Sequence, residues 1–108
     1  MDKALVASAV ADSLFSTEAA VEEALAQAVV LMRQMMDARK ALGLSVARGD
    51  PALQRVTAAV QALGEAHREI IRTHGELETL GRVLGLPSLG FGPLIKPAGS
   101  AAQPQLTE

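Results

Sequence analysis

The sequence of 108 residues contains no cysteine, tryptophan or tyrosine, and it has only two phenylalanines, Phe15 and Phe91. The absence of cysteine excludes disulfides and thiolate metal ligands. The scarcity of aromatic side chains argues against a β-sandwich or barrel and removes the stacking platforms that single-stranded nucleic acids need. Hydrophobic residues make up 49% of the chain and are mostly alanine, leucine, valine and methionine, which are compatible with helices. The composition therefore predicts an all-α fold.

The sequence also lacks an excess of positive charge and a long uninterrupted apolar run. Its net charge of −2 gives no electrostatic basis for binding nucleic acid. The alanine-rich N-terminus is not preceded by the net positive charge of a signal peptide. No run approaches the roughly 20 apolar residues of a membrane-spanning helix. These features predict a cytoplasmic protein that binds neither nucleic acid nor membrane.

The most regular pattern is a heptad repeat from Leu53 to Leu84. Its members recur at alternating steps of three and four residues, which is the spacing of a helix face that packs along another helix. We call this face the seam of the helix. The seam positions are Leu53, Val56, Val60, Leu63, His67, Ile70, His74, Leu77, Gly81 and Leu84. His67 and His74 are the only histidines in the chain.

A second helical pattern runs from about residue 17 to 47. Its seam positions are Val21, Leu25, Ala28, Met32, Met35, Arg39, Leu42 and Val46. Val29 and Met36 widen this stripe on one side and Leu31 widens it on the other. A single partner helix cannot cover so wide a stripe, so we expect burial against a second copy. Residues 1–16 are predicted as an N-terminal helical extension that breaks from the long helix at Ser16–Thr17, and the alternative is one helix that runs through.

The run Gly49-Asp50-Pro51 lies between the two patterns. Glycine suits the left-handed end of a helix, aspartate caps the next helix and proline fits its first turn. The sequence therefore predicts a turn here and an antiparallel helical hairpin over residues 17–86. Two hairpins would form a four-helix bundle dimer or a higher oligomer, with Val29, Leu31, Met36 and His67 at the interface. In this register His67 lies near Met32 and His74 lies near Leu25.

Glu22, His74 and Glu78 are candidate metal ligands. In the predicted register Glu78 lies one turn beyond His74 on the same face, and Glu22 lies across from Glu78. Two such sets in a two-fold dimer could hold iron or zinc. The alternative is that both histidines fix the helix register, as polar residues in a coiled-coil seam do. No nucleophile–base pair or phosphate loop is evident, so the sequence supports neither an enzyme nor a bound cofactor.

The composition changes after Leu84, and four of the five prolines lie beyond it. Residues 87–108 are predicted as a flexible Gly/Pro-rich tail. Leu89, Phe91, Leu94 and Ile95 are too apolar for an idle linker. An extended, glycine-rich peptide could dock these side chains in the pockets of a partner. The alternative is that the tail folds back and caps the open end of its own bundle.

Part of this tail, Ser88-Leu89-Gly90-Phe91-Gly92-Pro93-Leu94-Ile95-Lys96, resembles the C-terminal peptides by which cargo proteins dock inside encapsulin nanocompartments. The shared core is Leu-Gly-aliphatic-Gly-x-Leu followed by a basic residue, and Phe91 stands at the aliphatic place. Pro93 and the inserted Ile95 depart from that pattern. Encapsulated ferritins, one cargo family, are also oligomeric helical hairpins with a tail. The resemblance implies a cargo protein that binds iron, although the Glu-x-x-His ligand motif is missing.

Two functions follow from the sequence. The first prediction is a non-catalytic, self-associating helical module, structural or adaptor in role, whose tail docks on a larger partner. The alternative is an encapsulin cargo of ferritin-like type with iron at the dimer interface.

Overall fold

The computed structural model describes residues 2–86. This part of the chain forms two helices, α1 (Lys3–Ala41) and α2 (Val46–Val83), and it contains no strand. The predicted all-α, two-helix hairpin is confirmed. Helix α1 runs through Ser16 and Thr17 without interruption, so the predicted break is wrong and the alternative, one continuous helix, is correct. The tail residues Leu89, Phe91, Leu94 and Ile95 lie outside the described range.

The end of α1 places the turn of the hairpin at Gly43, so the prediction of a turn at Gly49-Asp50-Pro51 is wrong. The Gly43 N–H donates to the Lys40 carbonyl at 3.1 Å, and the Leu44 N–H donates to the Arg39 carbonyl at 3.0 Å. This pair of bonds is a Schellman motif, which satisfies carbonyls that the end of a helix leaves unpaired. Gly43 has φ +69°, a conformation that glycine adopts without the strain of a Cβ.

The start of α2 is set by Ser45 and not by Asp50. The Ser45 Oγ accepts a hydrogen bond from the Arg48 N–H at 3.2 Å, as the side chain of an N-cap does. Asp50 lies inside the helix, where its Oδ2 accepts a bond from Gln54 Nε2 at 2.8 Å. Gly49 has a packing role, because a Cβ there would lie 3.0 Å from the Cδ of Arg39.

The position of the turn decides which residues face each other. The Thr57 hydroxyl donates to Met32 Sδ at 3.8 Å, and His67 Nε2 lies 3.2 Å from Glu22 Oε2. The prediction that His67 lies near Met32 is therefore wrong, since His67 is opposite Glu22. In an antiparallel hairpin, a shift of the turn by a given number of residues changes the α1 partner of each α2 residue by twice that number. The turn lies closer to the N-terminus than predicted, which explains why His67 faces Glu22 and not Met32.

The chain packs as two compact units. The unit Leu14–Ile70 contains the turn and the adjoining parts of both helices, and its inward-facing α2 residues are the predicted seam positions from Leu53 to Ile70. The other unit pairs Met1–Ser13 with Ile71–Glu108. Within its described part the buried residues are Ala7, Ala11, His74 and Gly81. Alanine and glycine at these positions allow the two backbones to approach closely.

Few apolar side chains are buried. Among residues 2–86, four hydrophobic residues are buried and thirteen large hydrophobic residues are exposed. The buried set is Ala7, Ala11, Leu14 and Val56. The other seam residues of each unit are mostly half-buried. Residues 2–86 taken alone therefore leave much of their large apolar surface exposed.

Helix α1 is also long and apolar enough to cross a membrane, judged by length and composition alone. It has 39 residues and contains a window with mean hydropathy 1.3, of which 17% is buried. The core helix of a soluble protein and an N-terminal signal sequence pass the same test. The prediction that the protein does not bind membranes stays a prediction.

Candidate functional site

A polar pair links the helices within the unit Leu14–Ile70. His67 comes from the seam of α2 and Glu22 from the edge of α1, with 3.2 Å between Nε2 and Oε2. The His67 side chain is 29% exposed and the Glu22 side chain is 62% exposed. The contact is an ion pair only when His67 is protonated, and exposed ion pairs contribute only about 0.2–1 kcal/mol to stability. Its geometry agrees with a histidine that helps to fix the register, the role that the sequence offered as an alternative to metal binding.

His74 is the most completely buried large side chain of the described residues, with 0% exposure. Glu78, one turn further along α2, is half-buried, whereas Glu22 belongs to the other unit. Within residues 2–86, no group of three or more His, Cys, Asp or Glu side chains could hold a metal ion. A single chain therefore does not assemble the predicted ligands. A site shared by two chains stays a prediction.

Glu18 is a buried polar residue that the sequence analysis missed. It is 4% exposed and belongs to the unit Leu14–Ile70. The run Ser16-Thr17-Glu18 favoured the start of a helix, with Glu18 in the first turn where it would interact with the helix dipole. The periodicity of α1 could have identified it. Glu18 lies four residues after Leu14 and three before Val21, so it continues the inward-facing stripe.

Arg39 occupies a seam position near the turn and is half-buried. Its aliphatic stem lies against Gly49, and its Nη1 donates to the Leu44 carbonyl at 3.4 Å. The stem thus covers apolar surface while the charge reaches the backbone of the turn. This arrangement gives Arg39 a structural role and does not require an anionic ligand.

Three of the four predicted interface residues are exposed. Val29 is 44% exposed, Leu31 is 50% exposed and Met36 is 42% exposed, all within the unit Leu14–Ile70. They lie beside the α1 seam and outside it. The fourth, His67, makes its observed polar contact within its own chain. The three exposed residues are therefore the ones available to a second copy.

An apolar groove of about 530 Å³ lies in the described part of the unit formed by Met1–Ser13 and Ile71–Glu108. It is lined by Lys3, Val6, Ala7, Val10, Leu77, Leu80, Gly81, Leu84 and Leu86. Among these, Val6, Val10, Leu80 and Leu84 are 43–52% exposed. This groove was not predicted from the sequence. The sequence does contain a signal for it, because apolar residues recur at helical spacing on both walls. These are Val6 and Val10 on α1, and Leu77, Leu80 and Leu84 on α2.

No protein-family model, curated protein or solved structure matches this chain. The resemblance to encapsulin targeting peptides depends on residues 88–96, which lie beyond the described range. The surfaces of the hairpin are therefore the basis on which a function is inferred.

Proposed function

We propose that this chain is a self-associating helical module with a structural or adaptor role, which acts through protein contacts and not through catalysis. The observation that carries the proposal is the distribution of apolar side chains in residues 2–86, with thirteen large ones exposed and four hydrophobic residues buried. Fully burying one valine, leucine or methionine side chain contributes about 1.5–3 kcal/mol relative to leaving it exposed. A second copy can cover several of them together.

The position of the exposed residues favours a bundle. Val29 and Met36 are seven residues apart, so they lie two turns from each other on one side of the α1 seam. Leu31 lies on the other side. The apolar surface thus extends past the seam in both directions, and α2 alone covers only its middle. Two hairpins packed along these flanks would place four helices around one core.

The tail supplies the second half of the proposal, which is docking on a larger partner. Burying two or three of the side chains Leu89, Phe91, Leu94 and Ile95 is worth about 1.5–3 kcal/mol each before the cost of ordering the peptide. Such a contact is weak for one chain, and several tails on one oligomer would strengthen it by avidity. The resemblance of this peptide names one candidate partner, an encapsulin shell.

The metal content of the purified protein distinguishes the two functions that the tail allows. Iron or zinc at a fixed ratio per oligomer supports a ferritin-like cargo with ligands shared between chains. An oligomer without bound metal after incubation with Fe²⁺ or Zn²⁺ supports the structural or adaptor role.

Two neighbouring residues provide a matched test of self-association. Leu31 and Val30 are 50% and 48% exposed, but successive helical residues point about 100° apart. Val30 therefore faces away from the seam. The variant Leu31→Glu should reduce the mass measured by light scattering to that of one chain, whereas Val30→Glu should leave the oligomer intact.

Far-UV circular dichroism checks that both variants remain helical. A wild-type mass equal to one chain at micromolar concentration would overturn the proposal. An unchanged oligomer in Leu31→Glu would show that the flank beside Leu31 is not the interface.

A further inference from the structure

We propose that the groove of the unit Met1–Ser13 and Ile71–Glu108 is the docking site of the chain's own segment, residues 87–95. The last described residue, Leu86, already lines the groove beside Leu84. The chain therefore leaves the described structure inside the groove and continues directly into an apolar segment. This continuity argues for the chain itself as the occupant, since its local concentration is set by a connection of only a few residues.

The first residues of the segment can reach along the groove. Its α2 wall extends from Leu77 to Leu84, and a helix rises about 1.5 Å per residue, so the wall is roughly 10 Å long. An extended chain covers at most about 3.3–3.6 Å per residue. Counted from Leu86, Leu89 is therefore within about 10 Å and Phe91 within about 18 Å. Both side chains can reach the groove without any rearrangement of α2.

The sequence pattern of the segment also fits. In an extended peptide, residues two apart point to the same side, so Leu89 and Phe91 would share one face. Gly90 and Gly92 alternate with them and allow the backbone to lie close to the groove wall. On the helices, the small residues Ala7 and Gly81 are buried in the groove lining while larger side chains rise beside them. A trough with a floor of small residues accepts leucine and phenylalanine side chains.

The groove is chemically suited to this occupant. Lys3 is the one charged residue in the lining, and the remainder is alanine, glycine, valine and leucine. Its volume of about 530 Å³ falls within the roughly 300–1,000 Å³ of protein pockets that hold ligands. An apolar peptide segment gains from burial there, and a charged ligand does not.

The consequence is a competition. If the proposed docking function holds, and the inference rests on it for this step alone, the same side chains cannot fill the groove and a partner's pocket at once. A partner must then displace the tail from the groove, so the groove lowers the apparent affinity of the tail for that partner. The groove would keep the apolar tail covered until the partner is present.

Disulfide trapping in the full chain tests the contact, because the natural sequence contains no cysteine. The variant Val10→Cys with Phe91→Cys should form an intramolecular disulfide several-fold faster than Ala9→Cys with Phe91→Cys. Ala9 is exposed, neighbours Val10 in sequence and does not line the groove. Equal rates for the two pairs, or mainly disulfide-linked dimers from the Val10 pair, would overturn the proposal.

A second pair of substitutions tests the groove wall. Leu80 lines the groove and Val83 does not, and both are exposed positions near the end of α2. Added to the Val10–Phe91 cysteine pair, Leu80→Glu should slow disulfide formation several-fold, whereas Val83→Glu should not. An equal effect of the two substitutions would contradict docking in the groove.

Light scattering on the same samples separates this inference from the proposed function. Loss of selective trapping with an unchanged oligomer mass refutes tail docking alone. Selective trapping in the Val10–Phe91 cysteine variant, together with a mass of one chain for that variant and for the wild-type protein, refutes self-association alone.

Discussion

Replacing Gly43 with alanine tests the position of the turn. The sign of the change in the free energy of unfolding decides between a turn at Gly43 and a turn at Gly49. Gly43 has φ +69°, and a Cβ added there would meet no atom within 4 Å. The cost is therefore backbone strain without a steric clash, about 1–2 kcal/mol for a left-handed residue other than glycine. If the turn lay at Gly49, as the sequence predicted, Gly43 would be inside a helix. The same substitution would then stabilise the protein by about 0.5–1 kcal/mol.

The assay is urea unfolding followed by circular dichroism, at one fixed protein concentration because an oligomer's stability depends on it. In a domain of this size each kcal/mol also lowers Tm by about 4–8 °C. Gly64→Ala is the matched control, since its nearest neighbour would be Arg68 Nη1 at 3.7 Å, the end of a flexible side chain. It should raise stability by about 0.5–1 kcal/mol. Gly43→Asn should cost less than Gly43→Ala, because asparagine tolerates the left-handed region. A higher or unchanged free energy of unfolding in Gly43→Ala would refute the turn at Gly43.

Four further predictions concern the cap of α2, the Glu22–His67 contact and the tail. Ser45→Ala should lower the free energy of unfolding by about 0.5–2 kcal/mol through loss of the N-cap. Ser45→Asp should keep most of the wild-type stability, because aspartate also caps helices. Asp50→Ala should cost less than Ser45→Ala in the same urea titration, and the reverse order would restore Asp50 as the cap. A double-mutant cycle of Glu22→Ala and His67→Ala should give a coupling of about 0.2–1 kcal/mol, as for other exposed pairs. A coupling of zero would mean that the contact does not hold the register. Deleting residues 87–108 should leave the oligomer mass unchanged in light scattering, and a smaller mass would place the tail in the interface.

The helices themselves could be predicted from the sequence because their evidence is distributed over many residues. The seam of α2 from Leu53 to Gly81 repeats its spacing over nearly the whole helix, and the structure turns these positions inward. The α1 positions from Val21 to Arg39 behave in the same way. Periodicity of this kind tolerates a polar exception such as His67, since the remaining positions still define the face.

The turn could not be predicted as reliably because two sets of signals compete within ten residues of sequence. Gly49-Asp50-Pro51 has the composition of a helix end, a cap and a first turn. Gly43 and Ser45 carry the same chemistry over a shorter span, and they are the residues that satisfy the backbone groups at both helix ends. Local propensity cannot rank the two, because the choice also fixes which α1 residues meet the α2 seam. The error in pairing His67 with Met32 followed from this single choice.

The candidate surfaces follow from where the chain keeps its large side chains. In the unit of Met1–Ser13 and Ile71–Glu108, the small residues Ala7, Ala11 and Gly81 take buried positions, which allows the helix backbones to approach closely. Valines and leucines stand at the rim of the groove. In the unit Leu14–Ile70, Val29, Leu31 and Met36 stand beside the seam. The two helices thus keep many of their large apolar side chains outside the seam. These exposed flanks are the surfaces on which the proposed self-association rests.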